Sequence, residues 1–163
     1  MSLSFSYVGL DEIVLRLMSA VVLAFVIGLD REFRNKPFGL RTFMLVSLGA
    51  AAFSLVIMEL TESIGPEGHI AMDPSRVAEG IIGGIGFLGA GAIIQGARGV
   101  VGATTGASIW VVGGIGMACG FGFYAHAAIT TAIAAVVLTI LGLIEKRVFN
   151  RSVQPEPDER SRD

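Results

Sequence analysis

The chain has 163 residues, of which 53% are hydrophobic and 16% are charged, and its formal net charge is −2. An average soluble domain has roughly 25% charged residues, and the mean hydropathy of this chain is +0.71. These values indicate an integral membrane protein and exclude a disordered chain. The single cysteine excludes a disulfide scaffold, and the net charge provides no basic field for nucleic acid.

Stretches with few or no charges predict an all-α bundle of about five transmembrane helices, because a charged side chain at the bilayer centre costs at least ~2.5 kcal/mol. In the first stretch, Arg16 is expected to pair with Glu12 and to snorkel to the interface. Residues 99–144 contain no Asp, Glu, Lys or Arg and are too long for one span, so we predict a turn near 120–124. The predicted spans are about 13–29, 43–60, 74–97, 102–121 and 125–144.

The distribution of Lys and Arg predicts the orientation. These residues concentrate in the loop 30–42 and in the segment 145–163, whereas the loop 61–79 has only Arg76. Cytoplasmic loops carry the excess of positive charge, so we place the N-terminus outside and the C-terminus in the cytoplasm. Residues 1–144 would then form the transmembrane domain, and 145–163 a charged, disordered cytoplasmic tail. Asp73 followed by Pro74 predicts the start of the third helix.

Glycine is abundant, with 22 residues in the chain, and it concentrates between positions 80 and 122. Small residues at four-residue spacing allow membrane helices to approach closely. We therefore expect helices three and four to form the tight centre of the bundle or an interface in a homo-oligomer. Glycine-lined breaks along a polar path are the alternative. The candidate packing residues are Gly80, Gly84, Gly86, Gly89, Gly102, Gly106, Gly116 and Gly120.

Polar residues within the fourth helix could bond across helices or line a path, with packing the simpler interpretation. They are Thr104, Thr105 and Ser108. No nucleophile has a base nearby in sequence, and the histidines and the cysteine lie far apart. We therefore expect a non-enzymatic protein with no cofactor.

Charged residues at the predicted cytoplasmic boundary are the functional candidates. They are Asp30, Arg31, Glu32, Lys36 and Arg41. Asp30 and Glu32 could bind a hydrated Mg²⁺ through carboxylate oxygens. The alternative is that the acidic and basic residues pair with one another while the arginines contact lipid phosphates. On the outer side, Asp73 and Glu79 are further, weaker candidates for binding a divalent cation.

Several motifs together resemble the MgtC/SapB (YhiD-like) family of bacterial membrane proteins. The resemblance runs from about residue 8 to 144, in family order and spacing. The family usually has Glu at the position of Asp30, Leu at Ala103 and Ala at Gly106. The motifs are Gly28-Leu29-Asp30-Arg31-Glu32, the segment 36–42 (KPFGLRT), Asp73-Pro74-Ser75-Arg76, the segment 86–91 (GFLGAG), the segment 102–110 (GATTGASIW) and Met117-Ala118-Cys119-Gly120.

The resemblance implies a multi-pass protein of the bacterial inner membrane that is linked to growth at low Mg²⁺ and to virulence. It further implies that the protein regulates other membrane machinery, such as the ATP synthase, or the membrane potential. The family name also suggests the alternative, a transporter or channel for Mg²⁺ or a small solute. Longer members carry a soluble cytoplasmic domain after the last helix.

Overall fold

The computed structural model describes residues 8–34, 36, 38–64, 73–96 and 99–144. Within these ranges the chain forms five α-helices and one antiparallel hairpin, so the predicted all-α bundle of about five helices is confirmed. The proposed tail 145–163 lies outside the described residues. In chain order the elements are α1 (Leu10–Phe33), α2 (Leu40–Ile64), α3 (Pro74–Gly91), β1 (Ile94–Gly96), β2 (Gly99–Val101), α4 (Ala103–Gly120) and α5 (Tyr124–Val136), followed by a π-helical turn (Val137–Leu141).

Four of the five helices are long and apolar enough to cross a membrane, namely α1, α2, α4 and α5 with its extension to residue 144. Helix α3 has 18 residues and includes Arg76 and Glu79 near its start. A helix of that length is about 27 Å long, slightly shorter than the roughly 30 Å hydrocarbon core. The chain is thus a multi-pass membrane protein, and its orientation remains a prediction.

Helix α3 ends at Gly91, whereas the predicted third span continues to residue 97. The hairpin of β1 and β2 occupies the chain beyond that end, with Ile94 paired to Val101 and Gly96 paired to Gly99. β-branched residues favour strands, and glycines flank them here. Uncharged stretches alone do not reveal these strands, because isoleucine and valine are as apolar in a strand as in a helix.

Asp73 caps helix α3, as the sequence predicts. Its carboxylate accepts hydrogen bonds from the hydroxyl of Ser75 at 2.6 Å and from the backbone N–H of Ser75 at 2.9 Å, and Pro74 is the first helical residue. The hydroxyl bond, and then the backbone bond, hold the pKa of Asp73 below its ordinary value, because both stabilise the charged form. The cap is therefore ionised at neutral pH.

The predicted turn between the last two helices is confirmed, and its backbone geometry is a Schellman motif. The N–H of Phe123 donates to the carbonyl of Ala118 at 2.7 Å, and the N–H of Gly122 donates to the carbonyl of Cys119 at 3.0 Å. Gly122 has a φ of +81°, which glycine adopts without the steric cost that a Cβ imposes. The turn returns the chain so that α5 packs beside α4.

Helix α4 lies at the centre of the bundle and contacts α1, α2, α3 and α5. Its side chains Ile109, Val112, Ile115 and Cys119 are at most 1% exposed. Helix α3, in contrast, packs on α4 and α2 and has mostly exposed residues. Of the two helices expected to form the centre, only α4 does so within the single chain.

The glycines of α4 lie where the backbones of neighbouring helices approach. A Cβ on Gly120 would be 2.5 Å from the carbonyl oxygen of Ala51 in α2, and a Cβ on Gly116 would collide with the carbonyl of Ser47. Towards α3, Gly89 and Gly106 face each other, and a Cβ on Gly89 would be 3.0 Å from the Gly106 oxygen. These contacts are the close approach that small residues permit in membrane helices.

Two glycines of α4 provide a matched test of this packing. Gly116→Ala and Gly114→Ala each gain up to ~1 kcal/mol of helix propensity, but only Gly116 faces a neighbouring backbone, since no described atom lies within 4 Å of a Cβ on Gly114. Overpacking typically costs ~1–3 kcal/mol. We expect Gly116→Ala to unfold at a lower temperature than the wild type, and Gly114→Ala at an equal or higher temperature.

The buried thiol of Cys119 is the chain's single cysteine, so its alkylation by a fluorogenic maleimide during heating in detergent reports unfolding. Equal melting temperatures for the two alanine variants would contradict the close contact between α4 and α2.

Candidate functional site

Arg31 lies in the last turn of α1 and is buried, with 2% of its surface exposed. Its Nη2 donates a hydrogen bond to the hydroxyl of Thr105, in the first turn of α4. Its Nε–H has no hydrogen-bond partner among the described residues, and the ion pairs Arg16–Glu12 and Arg34–Asp30 do not include Arg31. The guanidinium is therefore held by a neutral hydroxyl.

Asp30 is bonded to Arg34 at the end of its own helix and lies close to the π-helical turn after α5. Its Oδ1 accepts from Nε of Arg34 at 2.8 Å, and the hydroxyl of Thr139 lies 3.4 Å from the same oxygen. Nη2 of Arg34 donates to the carbonyl of Thr139 at 3.3 Å. The sequence analysis missed Arg34, although its position four residues after Asp30 favours this pair. Within the described part of the chain, Oδ2 of Asp30 is a buried acceptor without a partner.

The other three boundary candidates lie on the outside of the bundle. Oε2 of Glu32 accepts a hydrogen bond from the backbone N–H of Leu40 at 3.2 Å and so joins the end of α1 to the start of α2. Lys36 and Arg41 are exposed. The predicted group of five therefore divides into Asp30 and Arg31, which face other helices, and three residues at the surface.

The four carboxylates considered as Mg²⁺ ligands have separate positions. Asp30 is bonded to Arg34, Glu32 to the start of α2, and Asp73 to Ser75, while Glu79 is exposed. Among the described residues, no group of three or more His, Cys, Asp or Glu side chains is placed to hold a metal ion.

At the opposite end of α1, Arg16 is 8% exposed. It forms the predicted ion pair with Glu12, with 3.0 Å between Nε and Oε1. Its Nη1 also donates to the carbonyl of Gly120 at 2.8 Å and contacts the sulfur of Met58 at 3.3 Å. The terminal carbonyl of α4 attracts the cation, and the position of this side chain relative to the membrane surface stays a prediction.

The predicted packing glycines fall into two groups. Gly89, Gly106, Gly116 and Gly120 meet the backbones of neighbouring helices, as described above, and Gly102 precedes α4 with a φ of +93°. Around Gly80, Gly84 and Gly86, in contrast, no described atom lies within 4 Å of the position of a Cβ.

An open apolar groove of about 770 Å³ lies between α2 and α3. Gly80 and Gly84 line it from α3, and Gly49 lines it from α2. Its remaining lining residues are Leu45, Val46, Ala50, Phe53, Val56, Ile57, Leu60, Val77, Ile81, Ile85 and Leu88.

Of the three polar residues of α4 named from the sequence, Thr105 contacts Arg31. Thr105 is buried and bonded to it, while Ser108 donates to the carbonyl of Thr104 at 2.7 Å. Thr104 and Ser108 also line a second cavity of about 380 Å³ between α4 and α5.

Comparison with known proteins identifies the family. The model of the MgtC family matches residues 17–147. YhiD of Escherichia coli K12, named provisionally as a magnesium transporter, is 35% identical over 141 residues, which are 86% of this chain and 66% of that protein. SapB of Bacillus subtilis is 39% identical over 117 residues, covering 71% of this chain and 50% of SapB.

MgtC of Salmonella typhimurium is 35% identical over 147 residues, which are 90% of this chain and 60% of MgtC. This chain thus spans half to two thirds of the length of these relatives. No solved structure matches it. The family model and the relatives agree over most of the sequence, and the chain therefore belongs to the MgtC family, whose membrane proteins are linked to Mg²⁺.

Proposed function

We propose that the chain is a non-enzymatic protein of the bacterial inner membrane that acts in adaptation to low Mg²⁺ or envelope stress. It does so by modulating another membrane complex, such as the ATP synthase, or the membrane potential. The open apolar groove between α2 and α3 carries this proposal, because it is a surface for contact between membrane helices. The magnesium-related name of the relative YhiD supports the link to Mg²⁺.

The groove has the features of a helix-docking surface within the bilayer. Gly80 and Gly84 lie four residues apart on α3, and the space above them is open among the described residues. Small residues at this spacing let two helix backbones come into contact. Phe53 and Leu88 line the same groove and are exposed, so a docked helix gains apolar side-chain contacts on both sides.

A second copy of this chain is the occupant that we propose for the groove. Helix α3 carries its own pair of glycines, so two copies related by a two-fold axis would each present Gly80 and Gly84 to the other. Such a contact is self-complementary and involves no buried charge. The homo-oligomer is then the form that contacts the other membrane complex.

The internal bonds of the charged residues also support this proposal over transport. Arg16 is bonded to the end of α4, Arg31 to its start, and Asp30 to Arg34. The first two contacts fasten α1 to α4. The alternative, a transporter or channel for Mg²⁺ or a small solute, is favoured by Oδ2 of Asp30, a buried acceptor that has no partner among the described residues.

Two adjacent glycines of α3 test the contact between copies. We expect Gly84→Leu to reduce the mass of the purified protein in mild detergent to that of a monomer, because leucine fills the floor of the groove. Gly83→Leu is the matched control, since Gly83 is exposed and open but does not line the groove. Light scattering with detergent correction measures both masses, and an unchanged mass for Gly84→Leu refutes the contact.

Gly106 is unsuitable for the same test. Its position faces the carbonyl of Gly89 and the side chain of Ile93, so a leucine there would disturb folding of the single chain.

Modulation of a membrane complex can be measured in inverted membrane vesicles. We expect ATP-driven proton pumping, followed with a pH-sensitive dye, to differ between vesicles with the wild-type protein and vesicles without it. Gly83→Leu should retain this difference and Gly84→Leu should lose it, because only the latter blocks the groove. Identical pumping in all four preparations counts against the proposal.

Transport is tested separately with purified protein in liposomes that contain a Mg²⁺-sensitive dye. We expect a Mg²⁺ flux no greater than that of empty liposomes. A flux above this level that Asp30→Asn abolishes would instead establish the alternative.

A further inference from the structure

The first turn of α4 and the buried guanidinium of Arg31 form a region of positive charge. The first hydrogen bond of α4 runs from the N–H of Gly106 to the carbonyl of Gly102, at 2.8 Å. The N–H groups before Gly106 therefore have no acceptor within the helix, and the helix dipole adds partial positive charge at this end. Arg31 is bonded to Thr105 in this same turn, so a full positive charge lies where a helix favours an anion.

The neighbouring acidic group of Asp30 is not in ion-pair contact with the Arg31 guanidinium. Asp30 is adjacent to Arg31 in sequence, but its carboxylate pairs with Arg34 and is close to Thr139. The three ionised groups Asp30, Arg31 and Arg34 thus sum to one positive charge. Asp30 attracts the buried Arg31 cation and Arg34 repels it, so the charge is only partly compensated, which is costly. The Nε–H of Arg31 remains a donor with no acceptor among the described residues.

A cavity is lined by sequence neighbours of these groups, although Arg31 and Thr105 do not line it themselves. It occupies about 380 Å³, and its lining includes Ile27, Thr104 and Leu138. Ile27 is one helical turn before Arg31, Thr104 precedes Thr105, and Leu138 precedes Thr139. The lining is mostly apolar, with hydroxyl groups from Thr104, Ser108 and Thr130. Apolar space next to a buried cation suits an anionic group attached to a hydrocarbon chain.

We propose that Arg31 and the first turn of α4 bind a phosphate-type oxyanion. The donors are the Nε–H of Arg31, which has no acceptor among the described residues, and the backbone N–H groups at the start of α4, which have no acceptor within the helix; together they suit the oxygens of a phosphate. The oxyanion is either the headgroup of an anionic lipid, whose chain enters the cavity between α4 and α5, or inorganic phosphate. The site is separate from the groove between α2 and α3, so it does not depend on the proposed contact between copies.

The test uses the full chain, purified in neutral detergent, and follows unfolding by alkylation of Cys119. One arm titrates inorganic phosphate against potassium chloride of equal ionic strength. The other compares nanodiscs of phosphatidylglycerol with nanodiscs of phosphatidylcholine. Arg31→Gln removes the charge but keeps a donor for Thr105, and Arg41→Gln removes an exposed charge as the matched control.

We expect at least one oxyanion source to raise the melting temperature of the wild type and of Arg41→Gln in a saturable manner. The apparent affinity of Arg31→Gln for that source should be weaker by about tenfold or more, the effect of losing a hydrogen bond to a charged group. Arg31→Lys should retain part of the response. Stabilisation by phosphate identifies a free oxyanion, and stabilisation by phosphatidylglycerol alone identifies a lipid headgroup.

Two results would overturn the site. One is the absence of stabilisation of the wild type by either source. The other is a stability difference between wild type and Arg31→Gln that is the same with and without the oxyanion, which would assign Arg31 a structural role only. If Arg31→Gln does not fold, Thr105→Val replaces it in the titrations, because this substitution removes the hydroxyl that orients Arg31. An affinity of Thr105→Val equal to that of the wild type likewise overturns the site.

Discussion

The packing of the bundle depends on the near absence of side chains where α4 meets its neighbours. At Gly116 and Gly120 the backbone of α4 lies against carbonyl groups of α2, and at Gly106 it lies against α3. In a bilayer, helices associate through van der Waals contact rather than through a hydrophobic driving force. A helix that must contact four others gains most from close backbone approach, and glycine provides it on more than one face.

The two arginines of α1 meet opposite ends of this central helix, and the consequences differ. Arg16 donates to the carbonyl of Gly120, at the end where a helix favours positive charge, and Glu12 balances its charge. Arg31 meets the start of α4, where the same dipole is unfavourable. The first contact is matched by a carboxylate, whereas the second leaves the Nε–H of Arg31 without an acceptor among the described residues. This asymmetry distinguishes a structural arginine from a candidate binding residue.

Much of this architecture could be predicted from the sequence, because charge and glycine are strong signals in a membrane protein. The five helices, the cap at Asp73 and the turn near Gly122 follow from local rules. The hairpin after α3 could not be predicted from hydropathy. The contacts of Arg16 and Arg31 with α4 also could not be predicted, since they join residues 104 and 74 positions apart and depend on how the helices pack.

The glycine pattern shows a further limit of sequence reasoning. Four-residue spacing occurs both at Gly116 and Gly120, which pack within the chain, and at Gly80 and Gly84, which remain open among the described residues. The spacing predicts that a helix will approach but does not identify which helix. Only the packed structure separates glycines that are already in contact from those available to a second chain.

Helix α4 also connects the two surfaces to which we assign function. Ile85 of α3 lines the groove and packs against Gly113 of α4, while the start of α4 holds Arg31 through Thr105. A helix docked in the groove can affect the charged end of α1 through α2, which also lines the groove and packs on α1, or through α4. Coupling of this kind requires α2 or α4 to take two discrete positions that both ligands distinguish. The tight glycine contacts of α4 with α2 oppose such a movement, so we expect the two surfaces to act independently.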